Sequence, residues 1–132
     1  MCALRCQEYV FCKHSYKLAR CRDDVDVIVT DSPLFLGLMY KSDPALDENF
    51  DKVVMNVFNS YNNMVYFVNR VKKYNPKGRN QTEAESDEIA VKTKELMNRF
   101  GIEYTEIDGD GVGEGIVIRD VLRKLVEVGV IE

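Results

Sequence analysis

No apolar run in the sequence approaches the ~18 residues that a membrane-spanning helix needs. The first 20 residues are interrupted by Arg5, Glu8, Lys13 and Lys17. That pattern excludes a secretory signal and leaves the cytoplasm as the expected compartment. A basic excess is also missing: 18 Lys and Arg stand against 22 Asp and Glu, giving a net charge of −4. No nucleic-acid partner is expected from the overall charge, although a local basic patch remains compatible with it. Cys2, Cys6, Cys12 and Cys21 are the only cysteines, and in a cytoplasmic setting they are expected to stay reduced. Cys2 and Cys6 lie one helical turn apart. Cys12 and Cys21 form no second pair of the C-x₂₋₄-C kind that compact zinc sites use, even with His14 nearby. Small apolar helix positions are the plainer reading of these thiols.

What is present is one domain's length of chain, 132 residues, with 45% hydrophobic and 30% charged side chains. Residues 3–20 contain no Gly or Pro and read as a helix, with Leu4, Tyr9, Tyr16 and Ala19 as its candidate buried face. Residues 25–31, Val-Asp-Val-Ile-Val-Thr-Asp, are β-branched and nearly continuous in apolar character. Such a run suits a parallel strand buried on both faces. Ser32-Pro33 ends it, and a short apolar helix is expected over 34–40. Phe50, Val53, Val54, Val57, Phe58 and Tyr61 follow helical spacing and predict an amphipathic helix over 47–61. A second strand is expected over 64–69. Thr82 and Glu85 have capping-box spacing and open a helix whose stripe is Ile89, Thr93, Leu96 and Phe100, stopped at Gly101. Residues 102–107 alternate as an exposed strand does. A glycine-rich turn, 109–115, then leads to a final helix over about 115–128. Strands alternating with helices imply an α/β fold with a parallel sheet and right-handed crossovers.

Two groups of residues carry chemistry. Asp31 falls at the carboxyl end of the expected buried strand, where open α/β sheets place ligands. There it holds a water of a magnesium ion or orients a nucleophile; alternatively it caps the helix that begins near Pro33. The second group is the acid-free segment 70–81, which holds Arg70, Lys72, Lys73, Lys77 and Arg79. Five cations in a shaped Pro-Gly turn point to a phosphate-bearing partner, against the alternative of a solvated charged loop. Gly109, Gly111, Gly113 and Gly115 do not make a Walker A or G-x-G-x-x-G loop, and Asp108, Asp110 and Glu114 would repel phosphate. A strand-to-helix turn is the expected role. An EF-hand is excluded by spacing. Tyr9, Phe11 and Tyr66 either line a base pocket or simply pack.

The order Val-Asp-Val-Ile-Val-Thr-Asp-Ser-Pro-Leu, an apolar helix, then Val-Tyr-Phe-Val-Asn-Arg-Val-Lys-Lys-Tyr-Asn-Pro-Lys-Gly-Arg-Asn-Gln-Thr-Glu resembles bacteriophage ATP-binding proteins of AAA type. These are similar to nicotinamide-riboside and nucleotide kinases. The resemblance covers residues 4–126, and Thr30 to Pro33 and Tyr74 to Gln81 are its most specific stretches. It implies a partial P-loop NTPase fold, three layers with about three parallel strands, in one domain over 1–132. Residues 25–31 would be the Walker B strand and 70–81 a lid over the transferred phosphate. It further implies ATP and Mg²⁺ as cofactors and host cytoplasm as location. Asp31 becomes the catalytic, magnesium-side acid, acting indirectly through water. Arg79 becomes a catalytic lid residue, and Arg70, Lys73, Lys77 and Arg79 the phosphate-binding set.

The sequence contains no G-x-x-x-x-G-K-[ST]. That loop supplies the phosphate cradle, the lysine and the magnesium hydroxyl. A start site placed too late accounts for its absence most simply. Without the loop's strand, residues 25–31 lack a neighbour, so the gap closes, another chain fills it, or the domain is marginal. Three functions follow. The complete protein transfers a phosphoryl group to a nucleoside-like small molecule, while this chain is inactive or very weak. The chain is a non-catalytic module binding a nucleotide, a phosphorylated small molecule or a protein partner. Or it is a structural homodimer joined through an exposed strand edge.

Overall fold

A computed structural model of the chain describes residues 6–78 and 82–132. The elements run α1 (Gln7–Cys21), a 3₁₀ helix (Leu34–Tyr40), α2 (Glu48–Asn59), β1 (Tyr66–Asn69), α3 (Glu83–Arg99), β2 (Thr105–Asp108) and α4 (Gly111–Glu127). The chain divides into two compact units, Met1–Asn63 and Met64–Glu132.

The first unit is helical. The 3₁₀ helix packs against both α1 and α2. Its Leu34, Phe35 and Leu38 are buried with Val54 and Phe58 of α2. The Phe35 and Phe58 rings meet edge to face with centroids 5.1 Å apart, the arrangement that the ring quadrupole favours. Phe11 of α1 meets Phe50 in the same way at 5.9 Å, so Phe11 packs. Asp47 caps α2, its side chain accepting from the Asn49 N–H at 2.9 Å. Two expected faces are corrected. Tyr9 and Tyr16 lie on the exposed side of α1, under the cations of Lys13 and Arg20. The inward phase is that of Gln7, Val10, Phe11, His14 and Leu18, spaced as one helical stripe. Leu4 lies outside the described residues. On α2, Val53 points outward. Asp51 takes a buried place, its carboxylate paired with the Lys41 ammonium at 2.7 Å.

Residues 25–31 do not form the expected strand. They have no regular structure, and Val25, Val27 and Val29 are 47%, 41% and 88% exposed. An apolar run becomes a strand only when a neighbour satisfies its backbone and layers cover both faces. Among the described residues the two strands pair with each other and not with this segment. The sheet therefore has two described strands where about three were expected.

The second unit is a small α/β arrangement. β1 and β2 pair in parallel, with Tyr66 opposite Thr105 and Asn69 opposite Asp108. The connection between them carries α3, as a parallel pair requires. Thr82 and Glu85 form the reciprocal capping box: Thr82 N–H donates to Glu85 Oε2 at 2.7 Å and Glu85 N–H to Thr82 Oγ1 at 3.2 Å. α3 ends at Arg99, and Gly101 follows its cap with a φ of +65°, a left-handed conformation that glycine adopts without penalty. Leu96, Met97, Ile102 and Ile107 are buried. α4 begins at Gly111, earlier than the expected 115, because Asp110 caps it by accepting from the Gly113 N–H at 2.9 Å. The chain is thus rich in α-helix, with a small two-stranded parallel sheet. None of the described helices is long and apolar enough to cross a membrane.

Candidate functional site

The parallel register brings the carboxyl ends of β1 and β2 together. Asn69 stands opposite Asp108, and the Gly109 N–H donates to the Asn69 carbonyl at 3.0 Å. The basic segment leaves from this edge. Its first residue, Arg70, donates from Nη2 to Asp87 Oδ1 at 2.8 Å and to Glu83 Oε1 at 3.3 Å, both on α3. The same guanidinium lies 5.4 Å from the centre of the Tyr74 ring. Lys72, Lys73 and Lys77 are exposed, and no ion pair engages them among the described residues. Asn75 Oδ1 accepts from the Lys77 N–H at 3.0 Å, an Asx turn, and Gly78 follows with φ +74°. The segment is therefore a shaped turn, as Pro76 and Gly78 predict. Arg79, Asn80 and Gln81 lie outside the described residues.

At the end of β2 the chemistry is different. The glycine-rich segment is the strand-to-helix turn that its composition predicts. Asp110 occupies the Gly113 N–H, a donor that a phosphate would need at that helix start. A Cβ on Gly113 would sit 1.9 Å from the Asp108 carbonyl oxygen, so only glycine lets α4 approach β2 this closely.

Asp31 belongs to the first unit and is exposed. The Ser32 hydroxyl donates to its Oδ1 at 3.3 Å. It does not cap the 3₁₀ helix, which begins after Pro33 with no side-chain cap. Instead Thr30 Oγ1 accepts the Ser32 N–H at 3.1 Å. Burial, with Lys17 adding to it, holds the His14 imidazole below its ordinary pKa, and the Asp31 carboxylate opposes them. Asp31 is therefore not an acid at the tip of a buried strand. Among the described residues no group of three or more His, Cys, Asp and Glu side chains is placed to hold a metal. Cys6, Cys12 and Cys21 are free thiols.

No protein-family model, curated protein or solved structure matches this chain.

Three polar ties were not legible in the sequence. Lys41 and Asp51 form the buried pair already described. Lys94 of α3 bonds Glu106 of β2 at 2.7 Å and lies 4.5 Å from the centre of the Phe67 ring, while Asn69 Nδ2 donates to the same carboxylate at 3.4 Å. Tyr66 of β1 donates its hydroxyl to Asp120 Oδ2 of α4 at 2.9 Å, and Arg119 grips the other Asp120 oxygen. Each partner is distant in sequence, and the one local hint is a hydroxyl inside an otherwise apolar strand. Tyr66 thus serves packing with a polar tie.

Burial, the Asp120 hydrogen bond and the Asp120 charge raise the Tyr66 pKa to about 12. A phenol raised in the folded state stabilises it fully below the unfolded value of about 10, and this is lost as pH rises through the folded value. Stability should therefore fall between about pH 10 and 12, and Tyr66→Phe should flatten that fall. Spectrophotometric titration should show a late tyrosine ionisation that Tyr66→Phe removes. Identical titrations of the two proteins would remove this assignment.

Proposed function

We propose that the chain is an ATP-binding, kinase-like protein that holds the polyphosphate of a nucleotide with the basic segment following β1. The observation that carries this is the placement of Lys72, Lys73 and Lys77. They are exposed, without an ion pair among the described residues, and they leave the carboxyl end of a strand in a parallel pair. Open α/β sheets bind ligands at that edge, and lysine recognises phosphate as a point charge. The acids Asp108, Asp110 and Glu114 mark the β2 side as unfavourable for an anion. The ligand's phosphates accordingly belong on the β1 side. The resemblance adds Arg79 as a further phosphate contact and Asp31 as the water-mediated partner of a magnesium ion. In a kinase of the kind the resemblance implies, the phosphoryl group would pass to a nucleoside-like acceptor. The partial P-loop domain and its lid belong to this same reading.

With no G-x-x-x-x-G-K-[ST] in these 132 residues, the segment supports binding rather than turnover. The second reading, a non-catalytic module for a phosphorylated ligand, rests on that observation. Calorimetric titration with ATP and Mg²⁺ should show binding. A hydrolysis assay on the same purified chain should show no turnover above buffer. Absence of ATP binding would end the first reading, and absence of tripolyphosphate binding as well would end the second. Turnover at a kinase-like rate of about 1–100 s⁻¹ would contradict an inactive chain.

A further inference from the structure

We infer that Arg70 is an internal anchor of the basic loop and not one of its phosphate contacts. Arg70 is the first residue after β1, and its two partners, Glu83 and Asp87, stand in the opening turns of α3, just past the loop's other end. One guanidinium thus ties the exit of the strand to the entry of the helix and closes the loop at its base. Two carboxylates on one cation leave that cluster with a net negative charge, which repels a phosphate. Release of Arg70 to a ligand would leave Glu83 and Asp87 facing each other without their cation. The Tyr74 ring against the guanidinium fixes the segment from inside the loop. Arg70 is therefore a positioning residue. Lys72, Lys73 and Lys77 are exposed, without an ion pair among the described residues, on a segment whose base is already tied. Their role as phosphate ligands depends on the function proposed above; the anchor itself does not.

The test is a cycle on the full chain, reading tryptic cleavage after Lys73 and Lys77 without any ligand. Arg70→Gln and the pair Glu83→Gln/Asp87→Asn should each speed cleavage by about two- to fivefold, the range expected from a surface ion-pair network. Combining all three should speed it no further, because both sides remove the same tie. Cleavage unchanged in the single-side variants, or fully additive in the combination, would overturn the anchor. A second readout is titration with inorganic tripolyphosphate. Arg70→Gln should weaken binding by less than about threefold, whereas loss of a direct charged contact should cost about tenfold or more. A tenfold loss with unchanged cleavage would make Arg70 a ligand contact. If the unaltered chain binds no tripolyphosphate, the phosphate-binding function falls while the cleavage cycle still decides the anchor.

Discussion

Gly113→Ala should cost about 3 kcal/mol or more, at or beyond the upper end of ordinary overpacking. The added Cβ would lie 1.9 Å from the Asp108 carbonyl oxygen and 3.0 Å from its carbon. Both are backbone atoms at the end of β2, so no side-chain rotation relieves the clash. The first turn of α4 must retreat, stretching the 2.9 Å cap from the Gly113 N–H to Asp110 and opening the contact between α4 and β2. The roughly 1 kcal/mol that alanine gains over glycine in a helix cannot offset this. Gly115→Ala is the matched control. It lies in the same helix, two residues on, with open space around its Cβ position. It should stabilise by about 0.5–1 kcal/mol. Urea unfolding of the two variants should move in opposite directions. Similar shifts would show that α4 is not seated on β2 as described.

In the first unit, Phe35→Ala should cost about 3–5 kcal/mol, as removal of a buried phenylalanine does. Phe35 is 1% exposed and stacks edge to face on Phe58, a geometry that adds roughly 0.5–1.5 kcal/mol beyond area burial. Against a typical total of about 5–15 kcal/mol, this change alone should remove a large share of the stability. Val29→Ala is the informative contrast. A valine in a strand buried on both faces would cost more than 1 kcal/mol on truncation. Val29 is 88% exposed, so its truncation should stay within about 0.5 kcal/mol. A large loss at Val29 would restore the buried strand that the structure does not show.

That contrast also marks where the sequence was readable. α3 was legible because its signals are local: a capping box at its start, a glycine at its end and an apolar stripe between them. The second short strand was legible from the alternation of 102–107, and the parallel pairing from strands that alternate with helices. Residues 25–31 misled because an apolar run records only the wish to be buried; whether it pairs depends on a neighbour elsewhere in the chain. Phase errors were smaller versions of the same problem. Val53 fits the helical spacing of α2, yet the buried stripe includes Asp51, which the distant Lys41 makes tolerable. For the candidate site, the charge of the 70–81 segment and its turn were visible in composition. The division of labour within it was not. Arg70 reads like its neighbouring lysines until the fold brings Glu83 and Asp87 beside it.

The most direct test of the phosphate-binding account is a tripolyphosphate titration of the unaltered chain and of a Lys72→Ala/Lys73→Ala/Lys77→Ala variant, at low and moderate salt. The account predicts that the unaltered chain binds, that its affinity falls as salt screens the exposed lysines, and that the variant loses about tenfold or more. Binding that is indifferent to salt and unchanged in the variant would contradict it.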